Sequence, residues 1–531
     1  MRITAPRLVP ALITALLTPA LSTYSHCENG GCEHAADNTY SLPSFTSIAV
    51  GTQPVTAIRI DGQPGSDGLD PLSQESIRVR NSDGQVVGTT STNFGMHPSL
   101  IRVPDWVPVS ERPHPTAKYY LYSGGHSAQT IHMAWSDSLT GNWQRWNPLS
   151  GDEFDGRAWG VEGNNSGAQT PGRGVIDMAL GPVSDPVVHN GKTFFPGEVF
   201  DLGDNVIEDH FSSPEVIVDH ANQRFVLIGH GDYRSSTFPG GGSQGRLHNS
   251  FMATSKYGLN FNLPEDGGEV GHGLRDFTLS NTYTRILEVD GEINGEKVVQ
   301  TIGLGFGGAL HMAPLFTESG ENATFANADD EGGLFNPSDD YDGTDYYWEL
   351  ARNSQGAAIK PMAGALRHPD VIPTDDFPNQ IGSPTRNGGR HFDAWYNPDV
   401  DRDTIYFFYT AAQDMPESVL MTRVSLAGLT EEERLDPANW VRIDDQEQLI
   451  LRPELDWEGV NLELKPSNTG AQSNGHVLRD PHVFYDEGKL YLLYNGGGES
   501  RIGLAELTIV PEPTTGALLG AGALLMYARR R

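Results

Sequence analysis

Along the middle of the chain, apolar and aromatic residues come in short runs separated by polar, glycine-bearing turns, and no run keeps a helical period. The clearest unit opens with a strand at Arg479-Asp480-Pro481-His482-Val483-Phe484-Tyr485 and turns at Asp486-Glu487-Gly488. It continues as the aromatic strand 489–494 and a third strand within 500–507. The same layout recurs at 213–219, 224–228 and 250–255, with Ser213 on Asp480, Pro214 on Pro481 and Asp219 on Asp486. It recurs from His97, after a detour through Pro104-Asp105-Trp106, at 118–122 and 131–136, and from His391 at 404–409 and 419–424. A further unit fits at 282–287 and 298–303. Units of several strands cannot bury both faces alone, so five of them stacked around a channel predict an all-β fold, a five-bladed β-propeller over 96–508. Two β-sandwiches would not explain why the strand openings recur in one register.

The ends of the chain read as addresses. Arg2 and Arg7, an apolar run at 8–21 broken by Pro10 and Pro19, and the small residues Ala20 and Ser22 predict a signal peptide over 1–25. Residues 26–95 form a strand-rich segment that either completes a blade through 55–60 or sits apart. Cys27 and Cys32 are the only cysteines, so no disulfide framework supports the fold. Over 509–531, Val510-Pro511-Glu512-Pro513 leads into a short apolar stretch and ends in Arg529-Arg530-Arg531. These three parts in order resemble the PEP-CTERM sorting signal of Gram-negative envelope proteins. The resemblance implies export, a sorting protease as partner, and a place in the periplasm, on the outer surface or in the extracellular matrix. The apolar stretch is shorter than the roughly 20 residues of a stable span, so membrane anchoring is transient.

Charge narrows the partners. With 36 Lys+Arg against 69 Asp+Glu, the formal charge of −33 opposes binding to nucleic acid. The 61 glycines and 35 prolines of the 531 residues fit many turns between short strands.

The segment 479–484 followed by 489–494 resembles the five-bladed propellers of glycoside hydrolase families 43, 32 and 117 and their relatives. That resemblance implies a carbohydrate substrate and a site where the innermost strands open. Cleaving a glycosidic bond takes one protonated carboxyl for the leaving oxygen and one ionised carboxylate for water or the anomeric carbon. By position, Asp480 matches the catalytic carboxylate, and Arg479 would hold it ionised or contact hydroxyls. His97 and Ser213 stand where the families have Asp. Glu215, two residues past Ser213 and so on the same face of an extended strand, is the expected acid. Asp393 is a third catalytic candidate, and Asp105 would supply the base that His97 cannot.

Asp185 opens a further strand-turn-strand stretch at 185–195, too close to Ser213 for a whole blade: it is an inserted hairpin, or the second blade begins there and Asp185 enters the site as a substrate-binding residue. His97, His210, His391 and His482 cluster at strand openings, with His230, His311 and His368 in similar turn-rich places; they are expected to bind hydroxyls or to hold a buried water or ion, while no pair has zinc-motif spacing. Trp106, Trp135, Trp395 and Trp457 are each core or a sugar-stacking platform. The run 303–308 lacks the charge and helix of a nucleotide loop, and the acidic stretch 325–346 lacks the spacing of a calcium loop. No cofactor is required by this chemistry; a structural ion is compatible with it but not indicated. The expected function is a secreted glycosidase, and the alternative is a non-catalytic propeller that binds carbohydrate or matrix. A phosphorylase would need a basic phosphate pocket that the scarce Lys and Arg do not favour.

Overall fold

A computed structural model describes residues 55–60, 75–80, 86–92, 96–124, 130–140, 143–146, 175–177, 187–189, 192–194, 201–202, 205–220, 222–235, 247–259, 261, 275–276, 283–305, 310–312, 349–350, 372–373, 389–412, 414–444, 447–467, 474–499 and 501–509. The predicted signal peptide, both cysteines, Asp185, His368, the acidic stretch and the C-terminal tail lie outside the described residues. The described chain is all-β, as the strand pattern predicts, with five sheets of four or five strands and three two-stranded ones.

The earliest strand among the described residues is β1 (Val55–Arg59). The first large sheet runs β2 (Met96–Arg102), β3 (Tyr119–Gly124) and β4 (Thr130–Ser136). The second has β5 (Asn205–Asp219), β6 (Arg224–Ser235) and β7 (Leu247–Ser255). The third has β8 (Arg285–Ile293), β9 (Glu296–Leu304) and β10 (Leu310–Met312). The fourth has β11 (Arg390–Asn397), β12 (Asp401–Thr410) and β13 (Val419–Ser425). The fifth has β14 (Leu478–Asp486), β15 (Lys489–Gly496) and β16 (Arg501–Ile509), and β1 completes it by pairing antiparallel with β16. Of the two places open to 55–60, the structure therefore shows pairing with the last sheet. The stretch after Asp185 forms a separate two-stranded sheet, Val187–His189 with Lys192–Phe194.

The turn chemistry follows the sequence. Asp486 pairs with Lys489 across Glu487 and Gly488, both at positive φ (50° and 79°). This is the two-residue hairpin turn whose twist suits antiparallel strands.

The sheets pack face to face. Tyr120, Tyr122 and Met133 of the first meet Phe225 and Leu227 of the second. Leu287 and Ile302 of the third meet Ile405 and Phe407 of the fourth. Tyr406 and Phe408 on the other face of the fourth meet Leu478 and Leu492 of the fifth, and Leu493 and Ile502 of the fifth meet Leu100 and Leu121 of the first. Because side chains alternate along a strand, Phe407 and Phe408 serve opposite cores. Burying aliphatic and aromatic side chains at about 1.5–3 kcal/mol each is what holds the stack together. Trp135, Trp395 and Trp457 are buried in these cores and Trp106 packs on Phe225, so all four tryptophans are core.

Candidate functional site

Five residues at the strand openings read from the sequence share an uncommon backbone, although Ser213 falls inside the longer β5. His97, Ser213, Tyr283, His391 and Asp480 all have positive φ, between 50° and 64°, which residues other than glycine adopt at a cost. In four sheets the ladder slips there, between Met96 and Ser99, Ser212 and Glu215, Arg390 and Asp393, and Arg479 and His482. A bulge of this kind re-aims a side chain. It also interrupts the regular alternation on which the expected shared outlook of Ser213 and Glu215 rested.

The opening residues meet one another. His97 Nε2 lies 3.1 Å from Asp480 Oδ1, and His391 Nδ1 contacts the same oxygen. The two Nε2 atoms are 3.4 Å apart. The Tyr283 ring packs against His97, His230 and His391 with centroids 4.8, 4.8 and 4.4 Å away. The His97 amide donates to Asn495 Oδ1 at 3.1 Å. His97, Ser213, His391 and Asp480 are all buried. Burial alone would raise the Asp480 carboxyl, but the two imidazoles outweigh it and hold the group well below the usual carboxylate range. Burial pushes His391 down to about 3, beyond what the Asp480 carboxylate restores, so its imidazole is neutral. A neutral His391 donating from Nδ1 to an ionised Asp480 satisfies both directions.

The residues two positions further on form a second group that ties sheet to sheet. Ser99 Oγ accepts from the Val216 amide at 2.9 Å. Arg285 donates to Glu215 Oε2 at 2.6 Å and to the carbonyls of Pro214 and Pro98. Asp393 Oδ2 accepts from the Val483 amide at 2.7 Å and lies 3.0 Å from His482 Nδ1. His482 Nε2 accepts from the Leu100 amide at 3.0 Å, which leaves Nδ1 as the protonated nitrogen facing Asp393. Burial pushes the Glu215 carboxyl up, against the pull of Arg285 and His482.

Behind Asp480, Arg479 is fully buried between Glu417 Oε2 at 2.8 Å and Glu499 Oε1 at 2.6 Å, and Arg390 approaches the same two carboxylates. The structure thus brings together Asp480, His97 and His391 in one group, and Glu215, Asp393 and His482 in the next, with Arg479 supporting from a charge cluster. Asp105 is exposed in its turn. His210 lies on β5, with its side chain outside the described residues. Tyr283 and Asn495 were absent from the sequence candidates, whereas His230 stood among the histidines of turn-rich places. Tyr283 was legible, since it aligns with Asp480 in the third unit, whereas nothing in the sequence singles out Asn495.

Residues 510–531 match the PEP-CTERM protein-sorting motif, which implies export. Over 106 residues the chain is 36% identical to an uncharacterised protein of Acanthamoeba polyphaga mimivirus, spanning 20% of this chain and 28% of the viral one. Among solved structures it is similar to a protein assigned as a glycoside hydrolase from Parabacteroides distasonis, at 10% identity and TM-score 0.41, covering 85% of this chain and 95% of that one. It is also similar to an α-L-arabinofuranosidase from Lactobacillus brevis, at 10% identity and TM-score 0.37, with coverage of 85% and 95%. A β-xylosidase/α-arabinofuranosidase from a compost microbial metagenome gives 9% identity and TM-score 0.34, with coverage of 83% and 96%.

Proposed function

We propose that the five sheets are the blades of one five-bladed propeller, and that the protein is an exported glycosidase acting on a poly- or oligosaccharide where the innermost strands open. The observation that carries this reading is the opposite displacement of two buried carboxyls on those strands. Asp480 is held ionised by its imidazoles, while burial favours the protonated form of Glu215. A pair of carboxyls pushed apart by their surroundings is what acid and base roles in glycoside cleavage require. Asp480 then holds and activates the attacking water, Glu215 protonates the leaving oxygen, and Asp393 fixes His482 beside Glu215. His97, His391 and Arg479 orient the carboxylate or the sugar. Export follows from the C-terminal motif, and the proposed destination is the periplasm, the outer surface or the extracellular matrix of a Gram-negative bacterium.

A second reading has its own support. Glu215 is committed to Arg285 and Asp393 to the Val483 amide, contacts that join sheets and need no substrate. On that reading the propeller binds glycan without cleaving it. Release of reducing sugar from a broad oligosaccharide panel, with Asp480→Asn and Glu215→Gln alongside, separates the two. Loss of release in both variants at unchanged melting temperature supports hydrolysis. Retained glycan binding without release in the wild type supports the second reading.

A further inference from the structure

We propose that Tyr283 is the residue on which a sugar unit of the ligand stacks. The proposal rests on the carbohydrate reading above and holds whether the glycan is cleaved or only bound. It starts from what a ligand can reach. The groups that meet at the strand openings are buried: His97, His391 and Asp480 in the first, Glu215, Asp393 and His482 in the second. Tyr283 is half-buried, and among the described residues whose side chains build the two groups it alone keeps surface open to solvent. A ligand arriving from solvent therefore meets the Tyr283 ring before the carboxyls or the imidazoles.

The ring is held for that task. The rings of His97, His230 and His391 pack on it at tilts of 50°, 50° and 48°, so none of them lies on it as a parallel stack. A sugar ring presents apolar C–H faces, and a flat aromatic body with a polar tip is the side chain that packs against them. Tyr283 also stands at a φ of 64°, where a bulky residue is an outlier. Such backbone persists where the surroundings over-determine it, and it clusters at ligand sites. The hydroxyl end lies in the field of Arg390, Glu499, Asp480 and Arg479. Desolvation pushes its pKa up against the pull of Arg390, so the phenol stays neutral and leaves the ionised role to Asp480. A sugar stacked on this ring is thereby brought next to the Asp480 group. The four tryptophans weighed as platforms are core, which leaves the task to the aromatic residue at the opening of the third unit.

The test uses the full chain and a panel of xylan-, arabinan-, galactan- and glucan-derived oligosaccharides, with binding read by calorimetry and by tyrosine difference absorption. For an oligosaccharide that the wild type binds, Tyr283→Phe should keep the affinity and Tyr283→Ala should lower it about 10-fold or more. Binding should shift the tyrosine absorption of the wild type, and the shift should vanish in Tyr283→Phe at unchanged affinity, which a tyrosine with a purely structural role would not produce. That comparison needs only the wild type and a variant that keeps the ring, so it stands even where Tyr283→Ala does not fold. Unchanged affinity in folded Tyr283→Ala overturns the proposal. So does an absorption shift that persists in Tyr283→Phe, or a loss in Tyr283→Phe as large as in Tyr283→Ala, which would make the hydroxyl rather than the ring the contact. These outcomes leave the carbohydrate reading in place, whereas a wild-type chain that binds and cleaves nothing in the panel overturns both.

Discussion

Replacing Arg479 with methionine tests whether the charges behind Asp480 act as scaffold. Arg479 is fully buried, donating to Glu417 at 2.8 Å and to Glu499 at 2.6 Å. Methionine keeps much of the side-chain volume but takes one guanidinium away from two buried carboxylates, which Arg390 approaches at 3.4 and 3.3 Å. Breaking a buried ion pair from one side costs about 3–5 kcal/mol. The compact unit Gln53–Arg531 has an unfolding entropy of about 1 kcal/mol/K near 60 °C, at roughly 2.1 cal/mol/K per residue, so the melting temperature should fall by about 3–5 °C. Adding Glu417→Gln should recover part of the loss, because it removes one of the stranded charges; Thr410 still has an acceptor there. Thermal melts followed by circular dichroism read both variants. A single variant that melts within about 1 °C of the wild type, or a double variant worse than the sum of the singles, refutes the scaffold reading. A variant that loses substrate binding with its melting temperature intact would instead make Arg479 a direct substrate contact.

Burial lowers the pKa of His476 below its ordinary 6.5, so the folded chain takes up its proton at lower pH than the unfolded one. Its contribution to stability is therefore fully present above pH 6.5 and is lost as the pH falls below that value. In melts from pH 7 to 5, His476→Gln should lose less stability than the wild type; equal slopes contradict this. Arg59 on β1 donates to Glu458 at 2.7 and 3.0 Å and to the Arg452 carbonyl, so it ties the first described strand to the chain near its other end. Arg59→Ala leaves the buried Glu458 with Tyr494 and backbone donors and should cost about 1–3 kcal/mol in chemical denaturation.

The strand units were legible because each repeats an opening residue, a turn and an aromatic strand in one register, and a register is a property of the sequence. That register also brought His97, Ser213, His391 and Asp480 to equivalent places. It did not show that these residues adopt left-handed backbone, since a positive φ is uncommon for any residue other than glycine. Hence Glu215 was expected to share the outlook of Ser213, whereas the bulge between them separates Asp480 and its imidazoles from the Glu215 group. Glu417 and Glu499 escaped notice because they meet Arg479 only in space. Tyr283 was passed over because an aromatic opener suggests no acid or base, yet it packs against three imidazoles.

The central claim, that carbohydrate chemistry occurs where the innermost strands open, is tested most directly by assaying sugar release by the wild type, Asp480→Asn and Asp105→Asn on one substrate. The account predicts a loss of about 1000-fold or more in Asp480→Asn with its melting temperature preserved, and wild-type rates in Asp105→Asn, whose carboxylate is exposed in its turn. Wild-type rates in Asp480→Asn, or a comparable loss in Asp105→Asn, would contradict it.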